Sequence, residues 1–201
     1  MHTPRHPLAL GQTVAAALVD ALKPAVDRIA VAGSVRRERA DIGDLDLLVI
    51  PRHETRADPG DLFGTPRSIN LFELAVADLI RGGILAPRLK SNGQATMGET
   101  NKLLTHVPTG LPVDLYATTA ECWHNLLVCR TGPAELNGYI AHRAKENGWQ
   151  WNPYGPGFTN RVTHAKHPVT KEDDVFHFVG LRPLLSWERS TYPIPHYTAA
   201  Q

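Results

Sequence analysis

The chain has little cysteine, almost no net charge and no long apolar run. Its 201 residues include only two cysteines, Cys122 and Cys129, which are too few and too far apart for a disulfide framework or a C-x-x-C motif. No run approaches the ~18 apolar residues of a membrane span, and the first residues lack an apolar segment with a cleavage site. These absences favour a cytoplasmic protein with no membrane partner.

The charge balance restricts the possible partners. With 21 basic and 20 acidic residues, the chain lacks the strong positive charge of a non-specific nucleic-acid binder, so any nucleic acid must be held locally. The 42% hydrophobic content is enough for a real core, in one domain or two small ones. No obligate protein partner is evident.

Periodicity and turn residues predict an α/β (α+β) chain. Apolar residues at three- and four-residue steps predict helices over 8–29 (broken at Pro24), 68–81, 121–128, 133–147 and 172–179. Runs of branched and apolar residues predict strands over 28–32, 44–50, 84–90, 94–105 and 111–117, with a loop over 51–67. Gly33 permits a tight turn, after which Ser34 is suited to cap a short helix.

Three acids lie on two of the predicted strands. Asp44 and Asp46 begin the strand over 44–50, and Asp114 lies on the strand over 111–117. Side chains two residues apart on a strand point to the same face, so the first two carboxylates repel each other unless a cation lies between them. Three such acids suit a pair of Mg²⁺ ions, with Mn²⁺ as a substitute. An isolated D-x-D motif is more often a solvated strand edge.

Cations and a glycine turn come just before these acids. Gly33 and Ser34 are followed by Arg36 and Arg37, and backbone amides with arginines can hold a triphosphate. The alternative is an ordinary surface pair of arginines. Because the turn and the acids flank one strand, we favour a site for a nucleoside triphosphate and metal.

Several motifs together resemble the X-family DNA polymerases. The resemblance begins with Gly33-Ser34, Arg36-Arg37 and Gly43-Asp44-Leu45-Asp46. It continues in the same order with Met97-Gly98, Val113-Asp114-Leu115, Thr131-Gly132, Asn137, Asn152 and Tyr154, and ends with 172–181. The similar stretch runs from about residue 8 to residue 190.

The resemblance implies a nucleotidyltransferase palm with a mixed sheet (residues 1–117, the palm unit) and a smaller, mostly helical thumb (residues 118–201, the thumb unit). It implies that both metal ions bind Asp44 and Asp46 and that the catalytic ion also binds Asp114. The residues implied for the triphosphate are Gly33, Ser34, Arg37 and Gly43. Those implied for the sugar and base are Arg130, Thr131, Gly132 and Asn137.

The implied activity is DNA-directed DNA polymerisation that adds one or a few nucleotides to a primer or gapped DNA, as in gap-filling repair.

The chain departs from the family at Cys129-Arg130, where an aromatic pair is common, and at Gly138 and Ala141, where template-contacting cations are common. Tyr116 replaces the usual arginine after the third acid, and no lyase domain is expected. These departures keep open a template-independent, RNA or small-molecule nucleotidyltransferase. A non-catalytic nucleic-acid-binding protein is the other alternative.

Aromatic residues and cations in the thumb unit have two interpretations each. Trp149, Trp151, Tyr154 and Phe158 can stack on bases or form the core of the thumb unit, and we favour core for the tryptophans. Arg143 and Lys145 can contact phosphate or form a solvated helix face.

Overall fold

The computed structural model describes residues 4–57, 66–89 and 92–194, in six α-helices and twelve strands. The helices are α1 Leu8–Leu22, α2 Gly33–Arg36, α3 Leu71–Arg81, α4 Trp123–Thr131, α5 Ala134–Glu146 and α6 Glu172–Phe178. The strands are β1 His6–Pro7, β2 Val26–Val31, β3 Asp41–Ile42, β4 Leu45–Pro51, β5 His53–Ala57, β6 Pro66–Asn70, β7 Leu85–Pro87, β8 Asn101–His106, β9 Leu111–Ala117, β10 Trp149–Asn152, β11 Gly157–Asn160 and β12 Lys166–Pro168. Short 3₁₀ turns cover Lys23–Ala25 and Ser186–Ser190.

A mixed five-stranded sheet forms the centre of the palm unit. Its strand order is β2-β4-β9-β8-β7. Strands β4 and β9 are parallel, whereas the other neighbouring pairs are antiparallel. This arrangement of a mixed sheet with helices confirms the predicted α+β class.

The palm core lies where α1 and α3 meet the sheet. Leu18 and Leu22 of α1 and Phe72 of α3 are almost fully buried against strand residues such as Leu47. The helix α3 begins after Asn70, whose side chain accepts a hydrogen bond from the Glu73 backbone amide at 3.2 Å. Apolar residues of the two helices thus cover the sheet.

Helices and a small sheet share the core of the thumb unit. Helices α4, α5 and α6 surround an antiparallel sheet of order β10-β11-β12. A separate cluster joins the two units, because Leu48 and Tyr116 of the central sheet pack against Trp123 and Leu126 of α4. Helix α4 therefore anchors the thumb unit on the palm sheet.

Several predicted element boundaries were wrong. The helix predicted over 68–81 begins at Leu71, because residues 66–70 form β6 and pair with β5. Part of the predicted loop over 51–67 is therefore this hairpin, and residues 58–65 lie outside the described ranges. The strand predicted over 94–105 consists of isolated bridges at Ala95 and Met97 followed by β8. Of the strand predicted over 84–90, 85–87 form β7 and Lys90 is not described.

Candidate metal and nucleotide site

The structure brings three aspartates together at one end of the central sheet. Asp44 comes directly before β4, Asp46 is the second residue of β4, and Asp114 lies in β9. One carboxylate oxygen from each lies within 4.8 Å of the others. The three side chains can therefore hold a metal ion together.

Strand register explains this convergence. Because β4 and β9 are parallel and Asp46 lies opposite Asp114, the two side chains point to the same face. The alternate residues Leu45 and Leu47 point the other way, into the palm core, where they are fully buried. A shift of one residue in this register would exchange the carboxylates and the leucines between faces.

The electrostatics of the aspartates reflect burial and mutual repulsion. Burial and the nearby charges of Asp44 and Asp114 raise the pKa of Asp46 to about 8, although Arg130 and Arg37 act in the opposite direction. Two carboxylates this close resist ionising together. The charge repulsion in this cluster is the kind that a bound cation relieves.

Two side chains donate hydrogen bonds to the Asp114 carboxylate. Arg88 Nη2 donates to one carboxylate oxygen at 2.5 Å, and the Tyr116 hydroxyl donates to the other at 3.2 Å. Burial raises the pKa of Asp114 despite the opposing charge of Arg88. No sequence motif indicated Arg88, because it lies 26 residues from Asp114 and only the pairing of β7, β8 and β9 brings the two together.

Gly33 leaves room for one of the carboxylates. Its φ is +59°, a left-handed conformation that favours glycine, and a Cβ atom there would overlap the Asp46 carboxylate oxygen Oδ2. The glycine of the turn is therefore required by the close approach of Asp46 as well as by backbone conformation. The close approach joins the turn and the acidic cluster into one site.

The site opens into a cavity of about 620 Å³, a size typical of ligand pockets. The sequence-predicted residues that line it are Gly33, Ser34, Arg37, Gly43, Asp44, Asp46, Arg130, Gly132 and Asn137. Arg5 and Glu135, which no sequence motif indicated, also line the cavity. Two predicted residues lie outside this lining: Asp114 is on the neighbouring strand, opposite Asp46, and Thr131 is fully buried.

Arg36 and Arg37, which follow the glycine turn, form hydrogen bonds with the thumb unit. Arg36 donates to the Thr131 hydroxyl at 2.7 Å and forms two hydrogen bonds with Glu172. Arg37 donates to the Thr131 carbonyl and, at 2.9 Å, to the Ser190 hydroxyl. Arg37 thus lines the cavity while it also fixes the position of the thumb unit.

Three cavity residues carry buried polar atoms without a hydrogen-bond partner among the described residues. These atoms are Ser34 Oγ, Arg130 Nε and Asn137 Oδ1. The prediction that Ser34 caps a helix was wrong: α2 already begins at Gly33, and its N-cap position is Ala32. A polar ligand can satisfy such atoms, which are otherwise costly to bury.

Arg130 and Asn137 are oriented by their neighbours. The Arg130 guanidinium lies 3.7 Å from the centre of the Tyr116 ring and donates a hydrogen bond to the Tyr154 hydroxyl. Asn137 Nδ2 donates to the Cys129 carbonyl at 2.8 Å. The Asn137 amide therefore uses one N–H within the protein, whereas its oxygen has no partner among the residues that the structure describes.

No protein-family model and no curated protein sequence matches this chain. Across the described ranges, no helix is both long enough and apolar enough to cross a bilayer.

Proposed function

We propose that this protein is a metal-dependent nucleotidyltransferase. The observation that carries the proposal is the convergence of the three aspartates within 4.8 Å of one another beside a cavity lined by Ser34 and Arg37. More specifically, the motif order that resembles the X-family polymerases favours a small DNA-directed DNA polymerase. In its proposed reaction, the 3′-hydroxyl of a primer or gapped DNA attacks the α-phosphorus of a nucleoside triphosphate, the nucleotide is added and pyrophosphate leaves, as gap-filling repair requires.

The residues present fit Mg²⁺. The donor set consists of carboxylate oxygens on a rigid sheet, which is the ligand type that Mg²⁺ prefers. Asp44 and Asp46 would hold two ions, and Asp114 would contribute to one of them. Bound Mg²⁺ would stabilise phosphoryl charge and lower the pKa of the attacking hydroxyl.

The remaining groups would bind and orient the substrate. Arg37 and Arg130 line the cavity that contains Asp46, and arginine pairs well with phosphate oxygens. The Ser34 hydroxyl has no hydrogen-bond partner in the described part of the chain and can donate to a phosphate oxygen. Arg88 and Tyr116 hold the Asp114 carboxylate in one orientation, which favours a fixed position for the primer hydroxyl.

The second candidate is a different transferase on the same core, one that is template-independent or adds nucleotides to RNA or to a small molecule. It is supported by α5, where Gly138 and Ala141 offer no charged side chain to a template. The Asn137 amide also commits one of its two N–H donors to the Cys129 carbonyl, which leaves fewer donors for reading a template-paired base.

Extension assays test the proposal. The purified protein is supplied with Mg²⁺, single nucleotides, and templated, gapped, blunt or RNA substrates. We expect incorporation on gapped DNA, its loss with a chelator, and a loss of at least about a thousandfold in Asp46→Asn and Asp114→Asn, because each removes a charge that the transferred phosphoryl group depends on. Asp20→Asn, on an exposed position of α1, is the matched control.

The substrate panel also separates the candidates. Equal incorporation of all four nucleotides opposite one template base would rule out the templated reaction and support the second candidate. Activity that persists in both aspartate variants would refute the transferase proposal, whereas DNA binding without any incorporation would indicate an accessory protein.

A further inference from the structure

A second cavity lies between α5 and β10 in the thumb unit. Its volume is about 300 Å³, and it is lined by Ala141, Lys145, Trp149, Gln150, Trp151 and Arg161. None of these residues lines the cavity that contains the aspartates. Its chemistry therefore needs a separate explanation.

This cavity carries two exposed cations, Lys145 and Arg161. The side chains of Lys145 and Arg161 have no hydrogen-bond or ion-pair partner within the part of the chain that the structure describes. By contrast, Arg143 on the same helix forms an ion pair with Glu146 at 2.6 Å. Two unpaired cations at the rim of one cavity favour an anionic ligand.

The tryptophans of the cavity differ in what they can contact. Trp151 is only 8% exposed, and its indole nitrogen donates to Asn125 at 2.6 Å, so it belongs to the core. Trp149 is half-buried and meets the Phe178 ring edge to face, with 5.3 Å between ring centres. Trp149 therefore packs partly against the thumb core and also lines the cavity, together with the exposed residue Gln150.

Helix α5 connects the two cavities. Asn137 lines the first cavity, whereas Ala141 and Lys145 line the second, and the spacing of four residues keeps all three on one side of the helix. Eight residues of helix span ~12 Å. A stacked strand advances ~3.4 Å per nucleotide, so this distance corresponds to about three or four nucleotides.

We propose that the second cavity binds the single-stranded part of the DNA template. Lys145 and Arg161 bind its phosphates, and a base lies against Trp149, three or four nucleotides from the reacting base. The ligand class, single-stranded DNA, rests on the cavity itself. Its identity as the template strand rests on the proposed function.

Binding of a fluorescently labelled single-stranded oligonucleotide, measured by anisotropy over a salt series, tests the site. In Lys145→Glu/Arg161→Glu we expect a loss of more than tenfold in affinity at ~50 mM salt, with the salt slope smaller by about 1.4, because each single-strand phosphate contact contributes about 0.7. The control is Lys23→Glu/Arg67→Glu, an equal charge change at two exposed palm cations, which should keep the wild-type slope.

Further variants separate stacking from charge. Trp149→Phe should bind within a few fold of wild type, whereas Trp149→Ala should bind about tenfold more weakly, since base stacking depends on the ring. Equal losses in the two charge-reversal variants, or an unchanged affinity in Lys145→Glu/Arg161→Glu, would overturn the proposal. So would equal binding by Trp149→Ala and Trp149→Phe.

Overhang length distinguishes the site from the catalytic proposal. Lengthening the template overhang of a primer–template from one to five nucleotides should tighten binding in the wild type and not in Lys145→Glu/Arg161→Glu. Binding that depends on both cations but without any nucleotide incorporation would refute the proposed activity and leave the binding site standing. Incorporation that depends neither on overhang length nor on these two cations would refute the second binding site and leave the proposed activity standing.

Discussion

Glu172 joins the palm and thumb units through two arginines, and neutralising it should destabilise the protein strongly. One carboxylate oxygen accepts from Arg36 at 2.5 Å; the other accepts from Arg36 at 3.0 Å and from Arg189 at 2.6 Å. The side chain of Arg189 is 2% exposed and that of Glu172 is 17% exposed. Glu172→Gln would leave a nearly buried guanidinium without its counter-charge.

The expected loss follows from this burial. Breaking a buried ion pair by removing one partner costs about 3 to 5 kcal/mol. We expect the lower end, about 3 kcal/mol, because the Arg36 side chain retains 26% exposure and can be rehydrated. Since domains are stable by only about 5 to 15 kcal/mol, this is a large fraction of the total.

Urea unfolding followed by tryptophan fluorescence measures the loss. The control is Glu54→Gln, which removes an exposed pair with Arg56 and should change the free energy of unfolding by less than about 1 kcal/mol. If Glu172→Gln is no more destabilising than Glu54→Gln, the reasoning from burial is wrong.

The interactions of Glu172 with Arg36 and Arg189 also predict that the stability of the protein depends on pH. Burial alone would raise the pKa of Glu172, but the hydrogen bond and charge of Arg36 and the charge of Arg189 outweigh it and lower that pKa below its ordinary value of 4.5. A lowered folded-state pKa stabilises the protein above the unfolded-state value, and this stability disappears as the pH falls through the folded-state value. The gap in stability between wild type and Glu172→Gln should therefore narrow below about pH 4.5. A gap that stays constant down to pH 3 would contradict this.

Two further substitutions test the candidate site. Gly33→Ala should reduce nucleotide incorporation at least about a hundredfold, since a Cβ would overlap the Asp46 carboxylate. The control is Gly83→Ala, also at positive φ but with open space around it, which should leave incorporation unchanged. Equal activity in the two variants would refute the steric argument. Arg88→Met should lower kcat about 10- to 100-fold with little change in KM for the nucleotide, because Arg88 positions Asp114. Arg88→Lys should restore part of that activity. If Arg88→Met raised KM and left kcat unchanged, a positioning role for Arg88 would be excluded.

Local patterns were sufficient for the central elements of the fold. The predicted strand over 111–117 coincides with β9, and the apolar run after Asp46 is the buried strand β4. Period-two alternation is a local property, so the sequence alone could indicate that Asp44 and Asp46 share a face. Local patterns failed for the short hairpins β5 with β6 and β10 with β11, because strands of four or five residues show little periodicity of their own and depend on side-chain packing in the folded protein.

By itself, the sequence determined which groups could carry the chemistry: three aspartates on strands, a glycine turn and the arginines beside it. Only the tertiary structure decided how they meet. The parallel register of β4 and β9 places Asp46 opposite Asp114, and the pairing of β7, β8 and β9 brings Arg88 to the same carboxylate. The thumb unit in turn engages Arg36 through Glu172. Spacing along the chain cannot encode these contacts, because they depend on which strands pair and on how helix and sheet pack.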